Sequence, residues 1–198
     1  MNVSEIAYET TASAVSLWTP QYKQLNEHMH LISPEYGTSG KRYAQKIQVA
    51  YLMYGCMSML DYGCGKTTLA NSLPQFKVTN YDPCIPRWSA RPTPHDLVAC
   101  TDVMEHIEPE FIDGVLDDIK YLAKKVAFFS ISTRLAAKTL PDGRNTHISI
   151  HPYTWWFEKL ASRWRVGTMH NAGNGDVEFT CFTQDVETVI LPDEVLSV

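Results

Sequence analysis

Residues 60–70, LDYGCGKTTLA, carry two incompatible meanings. Gly65, Lys66 and Thr67 spell the end of a phosphate-binding loop, whereas Asp61, Gly63 and Gly65 spell an acid followed by a tight glycine turn. The first would hold an anionic polyphosphate, the second a nucleoside bearing a cation. A phosphate loop needs a Gly about five positions before its Gly-Lys pair, so that backbone N–H groups can wrap the phosphates. That position is Leu60, inside an apolar run. Asp61 would also face the polyphosphate, and like charges at close range repel. Asp102, which ends another apolar run, could imitate the metal-binding partner of a phosphate loop, so that meaning stays open beside Gly65, Lys66 and Thr67.

On either side of the turn, short apolar runs alternate with helical stretches, the pattern of βαβ units around a parallel sheet. CMSMLDYG (56–63) is the first predicted strand and TTLANSL (67–73) a short helix closed before Pro74. FKVTNYD (76–82), DLVACTD (96–102) and KKVAFFSIS (124–132) are further strands. A helix begins near EPEF (108–111), where Pro109 suits a first turn and acids suit the positive helix end. HPYTWWFEKLASR (151–163) reads as a late helix, with Trp155, Trp156, Phe157 and Leu160 at packing spacing. WRVGTMH (164–170) and DVEFTCFTQ (176–184) can close the sheet as an antiparallel pair. Between Asp82 and Asp96 the chain is rich in proline, so a full helix plus strand hardly fits, and the sheet is trimmed at that edge. Upstream, SLWTPQYKQLNEHMHLI (16–32) reads as a helix ended by Pro34. Tyr43, Ile47, Tyr51 and Tyr54 recur at helical spacing from Lys41 until Gly55 ends that helix.

A chain of 198 residues, 44% hydrophobic, can bury one sizeable core. One domain is expected, residues 1–54 forming an N-terminal helical segment or lid and 55–198 the α/β core. No apolar run is long enough to cross a bilayer, and MNVSEIAYETTASAV lacks the pattern of a signal peptide, so a cytoplasmic protein without membrane partners is expected. The five cysteines are odd in number and form no C-x-x-C pair, so they are read as reduced thiols. A formal charge of −5 disfavours long duplex DNA, whose binding relies on many Lys and Arg neutralising phosphates.

The second meaning of the turn explains more residues at once. An acid at the end of the first strand and then Gly-x-Gly lets the backbone pass close to the methionine part of S-adenosylmethionine, whose ammonium and sulfonium are positive. Asp82 ends the second strand, where a carboxylate can accept from both ribose hydroxyls. DLVACTD brings a third strand end to the same crevice, the ligand position of open α/β sheets.

MLDYGCGK, VTNYDP, DLVACTDVMEHIEPE and KKVAFFSIS, in that order, resemble class I S-adenosylmethionine-dependent methyltransferases, most nearly their small stand-alone bacterial and phage members. The resemblance runs from about Gly55 to the C-terminus. It implies a Rossmann-like α/β fold, with a mostly parallel sheet, helices on both faces and a C-terminal antiparallel pair. It also implies that Asp61, Gly63, Cys64 and Gly65 line the cofactor's amino-acid end and Asp82 its ribose. Pro83 would lie beside the adenine, and Thr101 and Asp102 near the sulfonium. Where the family often has a further Gly, this chain has Thr67.

Asp102, Glu105 and His106 of DVMEH can converge on one point if the turn is helical, and two carboxylates with an imidazole suit Mg²⁺, Mn²⁺ or Zn²⁺. The spacing is similar to the acid-x-x-Glu-His metal motif of ubiquinone-pathway O-methyltransferases and small-RNA 3′-terminal 2′-O-methyltransferases. The latter imply a further His beyond the fifth strand, here His147, with His151 as second choice. Without a metal, His106 would act as a base or pack beneath the acceptor. The expected activity is methyl transfer to a hydroxyl, or an amine, of a small molecule, sugar or nucleotide or RNA end. The alternative is S-adenosylmethionine binding without turnover, in a regulatory or partner subunit. Arg144 and Asn145 border the acceptor crevice or simply make a turn. Tyr36, Lys41 and Arg42 approach the cofactor carboxylate or lie in a solvated loop. His28 and His30 read as surface or helix-packing residues.

Overall fold

The computed structural model describes residues 16–171 and 173–183; the opening MNVSEIAYETTASAV and the end of the chain lie outside them. Two helices, α1 (Pro20–Ile32) and α2 (Gly40–Met53), precede the sheet. Thr19 caps α1 by accepting from Tyr22 N at 3.2 Å, and Pro20 opens its first turn. Then follow β1 (Met59–Tyr62), α3 (Thr68–Ser72), β2 (Val78–Tyr81), β3 (His95–Thr101), α4 (Ile112–Leu122), β4 (Ala123–Ser132), α5 (Tyr153–Ala161), β5 (Arg165–Asn171) and β6 (Asp176–Phe182).

The strands lie in the order β2-β1-β3-β4-β6-β5, the first four parallel and β6 antiparallel to both β4 and β5. β2 is an edge. The proline-rich segment after it contains a single 3-10 turn, Pro86–Trp88, and among the described residues no further strand extends the sheet there.

Alternation along the strands splits the core in two. Leu60, Val98, Cys100, Ala127, Phe129 and Phe179 pack on one face with α4 and α5, where Trp156 and Leu160 are fully buried. Met59, Leu97, Ala99, Val126 and Phe128 pack on the other with α2 and α3. A strand buried on both faces reads as a continuous apolar run, which is why DLVAC and KKVAFF show no polar alternation. Helices on both faces leave the carboxyl ends of β1, β2 and β3 open side by side.

α1 sits over those ends. Thr19 donates to Glu108 through its N at 2.8 Å and its Oγ1 at 2.7 Å, and Tyr22 donates its hydroxyl to the His106 carbonyl at 2.6 Å. Tyr22, Met29 and Tyr36 form a small cluster of their own with Leu140. Among the described residues, no helix is long and apolar enough to cross a membrane.

Candidate active site

A cavity of about 530 Å³ opens at these strand ends, within the range of small-molecule and cofactor sites. Its floor is the turn after β1. Gly63 and Gly65 have φ of +79° and +48°, conformations that L side chains rarely adopt. Both are also crowded: a Cβ on Gly63 would fall 2.4 Å from Val103 Cγ2, and one on Gly65 would fall 2.4 Å from the Gly37 carbonyl oxygen. Gly63→Ala is therefore expected to cost about 1–3 kcal/mol, which thermal unfolding would register as a drop of roughly 3–10 °C.

Gly63, Gly65, Asp82, Pro83 and Asp102 all line the cavity, whereas Asp61, Cys64 and Thr101 are buried behind its wall. Asp82 is braced at both oxygens, Oδ2 accepting from Gly65 N at 3.1 Å and Oδ1 from Cys84 N at 2.9 Å. Each oxygen keeps a second lone pair for a ligand hydroxyl. Asp61 is 2% exposed, and burial, reinforced by the charge of Asp82, pushes its pKa up to about 7. Tyr36, Lys41 and Arg42 also line the cavity, so the α1–α2 segment contributes to its wall.

The residues of DVMEH divide. β3 ends at Thr101, and Asp102 turns the chain with φ +53° before a 3-10 turn spans Met104–His106. The reversal points the Asp102 carboxylate towards Ser130 Oγ, at 3.0 Å, and the Tyr43 hydroxyl, at 3.3 Å. Asp102 thus stands apart from the group that the fold does assemble. Glu105, His106 and His147 present ligand atoms that all lie within 4.8 Å of one another.

Glu105 is fully buried. Its Oε1 accepts from Ser132 N at 2.9 Å, but its Oε2 is buried with no partner among the described residues, and burial, then the Asp102 charge, holds its carboxyl well above the usual range. His106 Nδ1 lies 2.8 Å from the Thr146 carbonyl and His147 Nδ1 2.7 Å from the Arg134 carbonyl. A carbonyl only accepts, so each ring donates from Nδ1, and in the neutral ring the lone pair then sits on Nε2. The two rings meet edge-on at 4.8 Å. Burial, then the neighbouring His147, lowers the His106 pKa to about 3.

His151 is elsewhere, stacked on Trp155 at 3.8 Å. Asn145 braces its own loop, accepting from Ala136 N and His147 N and donating to the Ala136 carbonyl. Arg144 pairs with Asp142 and covers the Tyr22 ring. Lys66 does not reach over the glycine turn as in a phosphate loop, because its ammonium donates to the His30 carbonyl.

His30, which reads from spacing alone as a surface or packing residue, also lines the cavity, its Nε2 3.8 Å from Asp82 Oδ2. Asn26 lines it too and accepts from the Tyr36 hydroxyl, which in turn lies 3.4 Å from His106 Nδ1. The signal for both is the stripe Tyr22, Asn26, Met29 and His30 at helical spacing, in which polar residues share the buried face.

Strand order, helix placement and the cavity at the carboxyl ends of the strands define a Rossmann-like α/β fold of the kind seen in solved class I S-adenosylmethionine-dependent methyltransferases. Particular solved structures share it. A Burkholderia thailandensis 1,6-didemethyltoxoflavin-N1-methyltransferase, with 1,6-didemethyltoxoflavin and S-adenosylhomocysteine bound, superposes with a TM-score of 0.60 at 19% identity, covering 83% of this chain and 90% of that one. A magnesium protoporphyrin IX methyltransferase from Synechocystis PCC 6803, with S-adenosylmethionine bound, gives 0.56 at 13% identity over 87% and 99%. The methyltransferase domain of a bacterial Hen1 gives 0.53 at 12% identity over 74% and 100%. No protein-family model and no curated protein matches the chain.

Proposed function

We propose that the protein is an S-adenosylmethionine-dependent methyltransferase. Its acceptor group is a hydroxyl, or an amine, on a small molecule, sugar or nucleotide or RNA end, and a divalent metal at Glu105, His106 and His147 assists the transfer. One observation carries this reading. A single cavity receives the glycine turn, Asp82 and Asp102 from three strand ends on one side, and two imidazole lone pairs on the other.

On the cofactor side the chain supplies negative charge and close backbone approach. Gly63 and Gly65 remove side chains where the methionine end would lie, and Asp82 offers its remaining lone pairs to the ribose. Asp61 and Asp102 set a negative field for the ammonium and sulfonium. S-Adenosylmethionine supplies an electrophilic methyl group on sulfur, so the protein's part is to hold acceptor and donor in line and exclude water.

The donor set on the acceptor side fits a metal. The orphaned Glu105 Oε2 and two Nε2 lone pairs, each imidazole fixed through Nδ1 by a carbonyl, are the arrangement that metal-binding histidines adopt. Two nitrogens and one oxygen favour Mn²⁺ or Zn²⁺ over Mg²⁺, which prefers oxygen. A bound ion supplies positive charge that lowers the pKa of an acceptor hydroxyl. The competing role of His106, general base, is disfavoured by a pKa of about 3, since a base works best near the operating pH.

Titration calorimetry with S-adenosylmethionine tests the reading, with heat of binding expected for wild type and its loss expected for Asp82→Ala. ATP with Mg²⁺ should give none. Absence of S-adenosylmethionine binding, or turnover of ATP that disappears in Lys66→Ala, would overturn it. Release of S-adenosylhomocysteine across a panel of hydroxyl and amine acceptors then separates turnover from binding alone.

A further inference from the structure

His30, in the last turn of α1, lines the cavity with its side chain only 11% exposed. Its Nδ1 is buried beside Gly37 with no hydrogen-bond partner among the described residues, and its Nε2, the nitrogen that faces Asp82, stops 3.8 Å from Asp82 Oδ2, too far for a hydrogen bond. The ring packs edge-on against Tyr36, centroids 4.9 Å apart. Burial, outweighing the pull of Asp82, lowers its pKa, so the ring is neutral near pH 7 and owns one donor and one acceptor. Buried polar groups in folded proteins are almost always bonded. An apolar side chain would fill the space beside Tyr36 without leaving ring nitrogens unsatisfied, so packing alone gives no reason for an imidazole here.

The position of His30 is held firmly. Lys66 Nζ donates to its carbonyl, and Lys66 N donates to the Gly37 carbonyl at 2.8 Å. Gly37 and Gly65 pack so closely that a Cβ on Gly65 would come within 2.7 Å of Gly37 Cα. The glycine turn after β1 and the connection between α1 and α2 therefore form one wall. Lys66, placed where a phosphate loop would have its ligand lysine, fastens that wall from the inside.

The geometry points to His30 as a further cofactor-binding residue, one that hydrogen-bonds a ribose hydroxyl shared with Asp82, and to Lys66 as the residue that positions it. The inference rests on the S-adenosylmethionine reading of the cavity and adds a contact from outside the Rossmann-like core. A neutral imidazole beside a carboxylate gives the diol one donor and several acceptors, which discriminates a ribose from a deoxyribose nucleoside better than Asp82 alone.

The test is titration calorimetry with S-adenosylhomocysteine and with its 2′,3′-dideoxy analogue, on wild type, His30→Ala, His30→Gln and Lys66→Met, with melting curves confirming that each variant folds. Wild type should prefer the ribose ligand, and His30→Ala should weaken it about tenfold while changing the dideoxy ligand by no more than about twofold. His30→Gln, which keeps a donor and an acceptor, should recover part of the preference. Lys66→Met should reduce it, and adding Lys66→Met to His30→Ala should cause no further loss of preference. Equal loss for both ligands in His30→Ala, or an unchanged preference, would overturn the assignment while leaving the cofactor reading intact. If wild type binds neither ligand, the cofactor reading itself fails and the assignment with it.

Discussion

Glu105→Gln is expected to lower the kcat of the proposed metal-assisted transfer by at least about 100-fold and at the same time to raise the melting temperature of the metal-free protein. The two effects have one cause. The Glu105 carboxyl is fully buried, with Oε2 unpartnered among the described residues, and its pKa lies well above the usual carboxylate range. A raised folded-state pKa means that folding favours the protonated form. The stability is present below the unfolded-state value and lost as pH rises through the folded one. Glutamine is neutral at every pH, keeps the acceptor for Ser132 N, and offers an N–H towards the imidazole lone pairs of His106 and His147. It satisfies the site without a metal and removes the negative ligand that a metal needs. Melting curves with and without Mn²⁺ or Zn²⁺ check this: wild type should gain stability from the ion and Glu105→Gln should not. Equal metal-induced shifts in the two proteins would remove Glu105 from the ligand set.

Asp61→Asn is expected to separate stability from cofactor affinity in the same way on the other side of the cavity. Asp61 moves from 3.8 to about 7 on folding because burial disfavours its charge. Its contribution is therefore fully present below about pH 4, declines as pH rises and is gone once pH has passed about 7. At about 1.4 kcal/mol per pKa unit, the strain at pH 8 is up to about 4 kcal/mol. Asn at this position should thus melt higher than wild type at pH 8, with a smaller difference at pH 5. S-Adenosylmethionine should bind the variant at least about tenfold more weakly, since a cation gains from a nearby ionised carboxylate. In wild type that affinity should strengthen as pH climbs through about 7, and the variant should show no such slope. A flat pH profile in both proteins would mean that Asp61 acts only on the shape of the strand end.

Both predictions concern acids in DYGCG and DVMEH, whose chemistry is legible in the residue types and spacing, although their surroundings are not. That Glu105 is shut away from solvent while Asp102 turns to Ser130 depends on one left-handed residue after β3. Helical spacing puts Asp102, Glu105 and His106 on one face, and the positive φ at Asp102 breaks that spacing before the 3-10 turn begins. The order of strands and helices is easier to read, because apolar runs buried on both faces and the glycines that stop them are local properties. Even the trimmed edge beside β2 is visible, since proline removes the donors a further strand would need.

What the sequence determined by itself was therefore the parallel α/β core, the glycine turn after β1 and the acids at its strand ends, all encoded by period and backbone chemistry within about ten residues. Only the tertiary structure decided that His147 and not His151 meets His106, that Lys66 bonds the last turn of α1, and that His30 stands beside Asp82. Those contacts join residues tens of positions apart through the docking of α1 and the loop after β4. Their geometry follows from which surfaces pack together, a property that no local spacing records.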